Sequence, residues 1–498
     1  MSAVDAVGTI RVNPIWVDHA EIPAQHLRER FVMRTFLRPF LVSFVLIVLR
    51  VLAEPSAGAA GTTDLYAPAI PPTPTGANAL STGGNGGQAT DAAAQTIPLG
   101  TVITTTNWRQ YQQFMPDGMV TLFEGQSLWK MPDDVAMTVG PTVIHPLPTG
   151  YLAATEKYGA TTKLVELPDG GFTISGYQGG IPFPDPTEPH RGWKILADFW
   201  YRYMPHIVVN TPDNPGFNCT LDGYGNISCI KGLWVARQLS FNTDPGTPSS
   251  FPGAEGKYYT TWFMVEEPEQ QRYSTTLTME YTDLSRPEDV FIFVPSLRRT
   301  QRLSAAARCS SSGTEMTPDD GRFGFDGTIP DFSANLIGTR KILSEMDIKS
   351  AGAAFPDNYD MPLGWPKPSW GQWELRDSYV LDLRKLPAKA AGYCYGKRII
   401  YVDQQFFGPL WLDLYDPKMQ LWKVALLQPI VTNIPRIGPQ NSSGAWYAHW
   451  WNLQNHHATF QGPKDGHGYN VLLNDNVPSN YLDIERYATP GGLSAVMR

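Results

Sequence analysis

The chain has 498 residues, a formal net charge of −8 and 12% aromatic residues. Its acidic balance, with no run of Lys or Arg, argues against binding to nucleic acid or to anionic lipid head groups. The length allows one large or two medium domains, and the 45 glycines and 43 prolines favour strands joined by turns over a helical bundle.

Residues 33–60 have the pattern of a cleavable signal peptide. Two arginines precede an apolar core from Leu41 to Leu49, and Ala57-Gly58-Ala59 offers a small-residue cleavage site. The core is too short for a permanent membrane span. Residues 1–32 lack the composition of a signal peptide, so we interpret them as a mis-annotated extension before a true start at Met33. The pattern predicts an exported, soluble protein.

Residues 61–98 are predicted to be a flexible linker, because Ala, Gly, Thr and Pro dominate and apolar side chains are few. Residues 99–498 are predicted to form a single, mainly β domain. Strand patterns occur at 164–166, 172–174, 277–281, 379–384, 398–403, 409–414 and 420–427. Strands this close in sequence leave no room for crossover helices, so the sheet is predicted to be antiparallel.

Two groups of apolar residues in this domain are candidates for ligand contact. Trp193, Leu196 and Trp200 recur at helical spacing beside Phe199, which predicts a helix that either packs in the core or lines a cavity. The strand Val290–Val294 is apolar on both faces, so its second face requires cover from helices or from an apolar ligand. The predicted ligand-binding residues are Trp193, Leu196, Phe199, Trp200, Phe291 and Phe293, together with Trp365, Trp370 and Trp373 of a later Pro-rich stretch.

The four cysteines are predicted to form two disulfides. Cys219 and Cys229 flank the turn sequence Asp222-Gly223-Tyr224-Gly225-Asn226, so a hairpin would place them opposite each other. Cys309 and Cys394 then remain to pair over a long loop. The alternative, a four-cysteine zinc site, lacks the short Cys-x-x-Cys spacing that such sites use.

Signatures of enzymes are absent from the sequence. It has no Gly-x-Ser-x-Gly elbow, His-Glu-x-x-His motif, phosphate loop or dinucleotide fingerprint. His449, His456 and His457 would share a face of a helix, but no carboxylate at matching spacing accompanies them. We therefore predict no catalytic residues, no metal and no cofactor.

Three sequence blocks resemble a known family. They are NWRQY with FMPDGM at 107–119, NYDMPLGWPKPSW at 358–370, and GYCYGKR with YVD at 392–403. These blocks are similar to exported bacterial proteins of the domain of unknown function 1329 family. The resemblance implies an open half-barrel, a strongly curved antiparallel sheet with covering helices, like the outer-membrane lipoprotein-sorting proteins LolA and LolB. It also implies hydrophobic cargo and a transporter of the resistance–nodulation–division superfamily as partner.

The function predicted from these observations is that of a non-enzymatic periplasmic carrier. Its cargo would be a lipid or another hydrophobic small molecule, and it would work with an envelope transporter near the outer membrane. One alternative is a protein that binds or processes cell-envelope glycans, with Trp365, Trp370 and Trp373 stacking on sugar rings. A second alternative is a structural adaptor that docks the transporter to the outer membrane.

Overall fold

The structure of the protein is a computed structural model that describes residues 96–303, 309, 314–346, 348, 355–441, 446–463 and 471–497. The predicted signal peptide and residues 61–95 of the predicted linker lie outside the described residues. All described residues belong to one compact unit. Within them, no helix combines the length and the apolar character needed to cross a bilayer.

Helices are few and short in the described part of the chain. The α-helices are α1 (Asp117–Glu124), α2 (Thr149–Tyr158), α3 (Arg191–Trp200) and α4 (Ile484–Tyr487). The 3-10 segments are Trp108–Phe114, Gly159–Thr161, Glu269–Gln271, Pro318–Asp320, Arg322–Gly324, Ile329–Asp331, Pro387–Lys389, Asn474–Asn476, Ser479–Tyr481 and Pro490–Met497. The predicted aromatic helix is α3.

Strands supply most of the regular structure. They are β1 (Val102–Ile103), β2 (Met137–Thr138), β3 (Lys163–Glu166), β4 (Phe172–Ser175), β5 (Ile207–Asn210), β6 (Gly216–Leu221), β7 (Ile227–Gln238), β8 (Lys257–Glu267), β9 (Thr275–Tyr281), β10 (Asp289–Val294), β11 (Arg299–Arg302), β12 (Phe332–Met346), β13 (Tyr359–Asp360), β14 (Trp365–Pro366), β15 (Gln372–Lys385), β16 (Lys397–Asp403), β17 (Pro409–Tyr415), β18 (Leu421–Pro429), β19 (Thr432–Ile434), β20 (Gly438–Gln440), β21 (Trp446–Asn452), β22 (Ala458–Pro463) and β23 (Leu472–Leu473).

One large antiparallel sheet organises the fold. Among the described residues it has 15 strands, in the order β11-β10-β9-β8-β7-β6-β22-β21-β18-β17-β16-β15-β12, with β5 beside β7 and β23 beside β5. The end strands β11 and β12 do not pair with each other, so the sheet stays open. The predicted fold class, a mainly β protein with an open antiparallel half-barrel, is confirmed.

The central strands carry apolar side chains on both faces, and other parts of the chain cover each face. Ile400, Leu412 and Ala425 lie opposite one another in successive strands and therefore share one face, which we call the cavity face. Tyr401 and Trp411 alternate with them and belong to the opposite face. Each face has its own hydrophobic cluster of fully buried residues. This accounts for strand sequences with little polar alternation.

Helix α3 packs closely on the cavity face at the edge strand β12. A Cβ atom at Gly192 would lie 2.4 Å from the carbonyl oxygen of Ala334, so the helix can approach the strand this closely only with glycine there. The aromatic side of α3 is buried in the cluster of the cavity face. Helix α1 and residues 358–373 cover the opposite face instead.

Both predicted disulfides are present. Cys219 and Cys229 are directly paired in the β6–β7 hairpin, with 4.0 Å between their Cα atoms. Cys309 bonds Cys394, with 5.5 Å between their Cα atoms and 85 residues between them in sequence. No cysteine is left free, so a four-cysteine zinc site is excluded.

Candidate ligand-binding cavity

A cavity of about 320 Å³ lies on the cavity face, over strands β6 to β10 and β22. Its size is within the range typical of small-molecule sites. Its apolar lining includes Trp234, Phe263, Val290, Met316, Trp446 and Val471. Its polar lining includes Asn218, Thr261, Thr276, Thr278 and Gln461. Apolar and hydrogen-bonding groups therefore share one chamber, an arrangement suited to an amphiphilic molecule.

The register of the strands places these side chains together. Trp234 lies opposite Phe263, and Phe263 lies opposite Thr276 in the next strand. Asn218 lies opposite Gln461 across the β6–β22 pair. Residues directly opposite in neighbouring strands point to the same side of a sheet. The floor of the cavity is thus a ladder of side chains from non-local strands.

The segment from Thr314 to Asp331 forms the wall above this floor, and a buried ion pair fixes it to the sheet. Asp320 accepts a hydrogen bond of 2.5 Å from Nη1 of Arg398 and one of 2.7 Å from the Tyr395 hydroxyl. The Asp320 carboxylate also accepts hydrogen bonds from the backbone and the side chain of Thr317. The side chains of Asp320 and Arg398 are both fully buried.

Glu315 provides a second attachment of the same segment. Its backbone N–H donates to Thr459 at 2.7 Å, and its carboxylate accepts from the Asn452 amide at 2.5 Å. Lys423 donates to the Glu315 carbonyl oxygen and has its Nζ 3.7 Å from the carboxylate. The polar groups on the cavity face of β18, β21 and β22 thus hold the wall in place.

Arg322 is the buried cation of the cavity lining. Its Nη2 donates to the carbonyl oxygen of Trp200 and to the hydroxyl of Tyr258, each at 3.1 Å. Its guanidinium carbon lies 4.6 Å from the ring centroid of Tyr259 and 4.7 Å from that of Trp200. Such distances are typical of cation–π contacts.

Neighbouring groups keep Arg322 charged. Burial alone would lower the pKa of Arg322, but Tyr258, Tyr259, Glu280 and Asp326 together raise it above its ordinary value. Burial also raises the pKa of Tyr259. At neutral pH both side chains are therefore hydrogen-bond donors.

The residues that the sequence predicts to bind ligand lie in packed cores. Trp193, Leu196 and Phe199 are buried side chains of α3 that belong to the cluster of the cavity face. Trp200 is 3% exposed and contacts Arg322, a residue of the cavity lining. None of these four side chains contributes to the cavity lining itself.

Phe291 and Phe293 lie on the side of β10 away from the cavity. Phe291 is opposite Leu277, whereas the neighbouring Val290 lines the cavity. Phe293 is 2% exposed, in a third cluster that includes Trp262. That cluster covers one face of the strand, and the cavity lies on its other face.

The tryptophans of the Pro-rich stretch form a buried stack on the opposite face. Trp365 stacks on Trp373 with 5.5 Å between ring centroids and 6° between planes. Trp370 packs edge-on against Tyr447. The three tryptophans are only 2%, 5% and 3% exposed in chain order. Assignment of all nine residues to ligand contact stays a prediction that their packing does not support.

The histidines do not share a helical face, because His449 lies in strand β21 and the other two lie in the turn that follows. His449 is buried between the rings of Trp451 and Phe460, with centroids at 3.7 and 4.1 Å. Burial lowers the pKa of His449 well below its ordinary value. Within the described ranges, no group of three or more His, Cys, Asp or Glu side chains is arranged to hold a metal.

Sequence reasoning missed Arg322, Tyr259 and the threonines of the cavity. The alternation of Thr276 and Thr278 with Leu277 indicates a strand with one polar and one apolar face. It could not show that the polar side meets a cavity. Arg322 stands in a stretch without periodicity, where no local pattern marks it.

Comparison with known proteins places the chain in a family. Residues 102–490 match the family described as protein of unknown function, DUF1329. The chain belongs to that family. The match covers most of the sequence, including all three blocks from which the resemblance was drawn. The sequence has no match among curated proteins.

Solved structures similar to this chain include a protein of the same family and a LolA superfamily protein. A DUF1329 family protein from Desulfovibrio piger is 13% identical, with a TM-score of 0.40, covering 60% of this chain and 100% of that chain. A LolA superfamily protein from Nitrosomonas europaea is 14% identical, with a TM-score of 0.34, covering 59% of this chain and 97% of that chain.

Proposed function

We propose that the protein is a non-enzymatic periplasmic carrier of an amphiphilic lipid or a similar hydrophobic molecule. The observation that supports this most directly is the cavity on the open sheet, in which Trp234, Phe263 and Val290 meet a row of threonines. Each methylene that such a cavity removes from water contributes about 0.8 kcal/mol. Immobilisation of ligand and side chains offsets part of this gain.

The environment that we propose is the periplasm, with a transporter of the resistance–nodulation–division superfamily as partner. The signal pattern at 33–60 and the two disulfides support export to an oxidising compartment. The transporter follows from the family resemblance alone. Binding of the purified transporter's periplasmic domain, with and without lipid, separates a carrier from an adaptor that needs no cargo.

A direct test is the binding of a fluorescent acyl probe to delipidated protein. We expect wild-type protein to bind the probe and to show co-purified lipid in native mass spectrometry before delipidation. Thr276→Trp should fill the cavity and weaken binding at least tenfold. Tyr224→Trp adds an indole at a residue that is 93% exposed and should bind like wild type. A clean apo mass with no probe binding, or unchanged binding by the Thr276 variant, would refute the proposal.

The glycan alternative loses its main support. Stacking on sugars requires exposed rings, and the three tryptophans that motivated this alternative are buried. Trp365 packs against Trp373, and Trp370 packs against Tyr447. Soluble envelope glycan fragments should therefore leave the tryptophan fluorescence unchanged. A saturable quench that a cavity-filling variant does not affect would favour the glycan reading instead.

A further inference from the structure

Two buried residues of the cavity lining carry donor groups that have no partner within the described part of the chain. Nε and Nη1 of Arg322 lack a hydrogen-bond acceptor, and so does the hydroxyl of Tyr259. Arg322 is 6% exposed and Tyr259 is 2% exposed. An unsatisfied buried donor is costly, and native structures leave few of them.

These donors are adjacent and are held in place. The Arg322 guanidinium carbon lies 4.6 Å from the Tyr259 ring, and its Nη2 is already bonded to the backbone of Trp200 and to Tyr258. The guanidinium is thus oriented before any ligand arrives. An arginine in this state is suited to a carboxylate or phosphate oxygen, which accepts and never donates when ionised.

The rest of the cavity supplies the apolar part of such a ligand. Phe263, Val290 and Trp446 line the same chamber as Arg322 and Tyr259. Glu280 and Asp326 act on Arg322 electrostatically, and the carboxyl groups of Glu288 and Asp326 line the same cavity, so the guanidinium faces more than one carboxyl group. A head group with a single negative charge therefore suits this subsite better than one with a cluster of negative charges.

We propose that Arg322 and Tyr259 form the head-group subsite of the cavity, for an acyl amphiphile whose head presents ionised acceptor oxygens. This inference rests on the proposed carrier function and names the class of its cargo. The acyl chain lies along the apolar lining, and one oxygen of the head accepts from Arg322 and Tyr259. A fatty-acid carboxylate and a lipid phosphate share this chemistry.

The test compares ligands of equal chain length and different head group. Dodecanoate, dodecyl phosphate, dodecanol and dodecyltrimethylammonium compete with the fluorescent acyl probe on delipidated wild-type protein. We expect the two anions to bind about 10- to 100-fold more tightly than the alcohol, which corresponds to hydrogen bonds made to a charged group. The cation should bind more weakly than the alcohol. The ratio of dodecanoate to dodecyl phosphate tells which of the two sources the subsite prefers.

Variants locate the preference. Arg322→Gln should abolish the advantage of the anions over dodecanol, and far-UV circular dichroism shows whether the variant keeps its fold. Tyr259→Phe should reduce the advantage partially. Arg436→Gln, at a side chain that is 51% exposed, is the matched control and should behave as wild type.

The outcomes separate two failures. Wild-type protein that binds every head group equally, or an anion preference that persists in Arg322→Gln, overturns the subsite and leaves the carrier function standing. Wild-type protein that binds none of the four ligands overturns both proposals. If Arg322→Gln binds neither the anions nor dodecanol, the Tyr259→Phe variant provides the test. An anion preference equal to that of wild type in Tyr259→Phe then refutes the subsite.

Discussion

The ion pair between Asp320 and Arg398 should determine whether the cavity has its wall. Their atoms lie 2.5 Å apart, and both side chains are fully buried. At an effective dielectric constant of about 20, Coulomb attraction at this distance amounts to about 7 kcal/mol. Desolvation of the two ions offsets several kcal/mol for each of them. The net contribution of the pair is therefore small, whereas the loss of one partner is costly.

Asp320→Asn keeps the shape of the side chain and removes its charge. Arg398 then loses the carboxylate to which it is bonded and keeps the electrostatic effect of Asp319. The donors of Tyr395 and Thr317 face a poorer acceptor. We expect a loss of about 3–5 kcal/mol in the free energy of unfolding. This is a large part of the stability of an ordinary domain.

The assay is urea denaturation followed by tryptophan fluorescence, with the disulfides kept oxidised. Asp475→Asn is the matched control, because Asp475 pairs with Arg436 at 2.6 Å with side chains 45% and 51% exposed. That exposed pair should contribute about 0–1 kcal/mol. Hydrogen exchange in residues 314–331 should rise in the Asp320 variant alone. Equal effects of the two substitutions would refute the reasoning.

Three further predictions concern other parts of the fold. Replacing Cys309 and Cys394 by alanine should lower the free energy of unfolding by about 4 kcal/mol, and replacing Cys219 and Cys229 should lower it by about 2–3 kcal/mol, because the first disulfide closes the longer loop. Urea denaturation of the two double variants measures both losses, and the reverse order would contradict the loop-entropy argument. Gly118→Ala should destabilise the fold by about 1–3 kcal/mol, since its Cβ would lie 2.3 Å from Oδ1 of Asp413. Gly338→Ala should not destabilise it, because a Cβ there would have no atom within 4 Å. Equal melting temperatures of the two variants would contradict this reasoning. Burial raises the pKa of Glu345 to about 8, above its ordinary 4.5, so the folded state binds the extra proton between these pH values. The free energy of unfolding should therefore fall as the pH rises from 4.5 to 8. Glu345→Gln should lose that pH dependence, and a pH profile identical to that of wild type would contradict the argument.

The architecture was predictable because its signals are local. Alternation around Leu277, the turn between Cys219 and Cys229, and the short spacing from β16 to β18 each depend on residues close in sequence. They are sufficient for an antiparallel sheet and for the Cys219–Cys229 disulfide, which leaves Cys309 and Cys394 to pair with each other. Two-sided apolar strands also predicted that both faces would be covered.

The cavity was not predictable from the same signals. Its floor joins β6 to β10 with β22, which comes into register with β6 only in the folded sheet. Its wall depends on a pair separated by 78 residues, Asp320 and Arg398. A period of two shows which residues share a face but cannot show whether solvent, a core or a cavity lies beyond it.

The aromatic surplus led the prediction away from the cavity for a physical reason. Large rings gain most where they are fully buried, so a stack such as Trp365 with Trp373 belongs to a core. A binding chamber must keep empty volume and unpaired donors, which short side chains such as Thr276 and a fixed cation such as Arg322 provide. Residues that make the family recognisable, such as Trp365 and Trp370, therefore pack on the opposite face of the sheet. The ligand preference that we propose depends instead on the less conspicuous segment that carries Arg322.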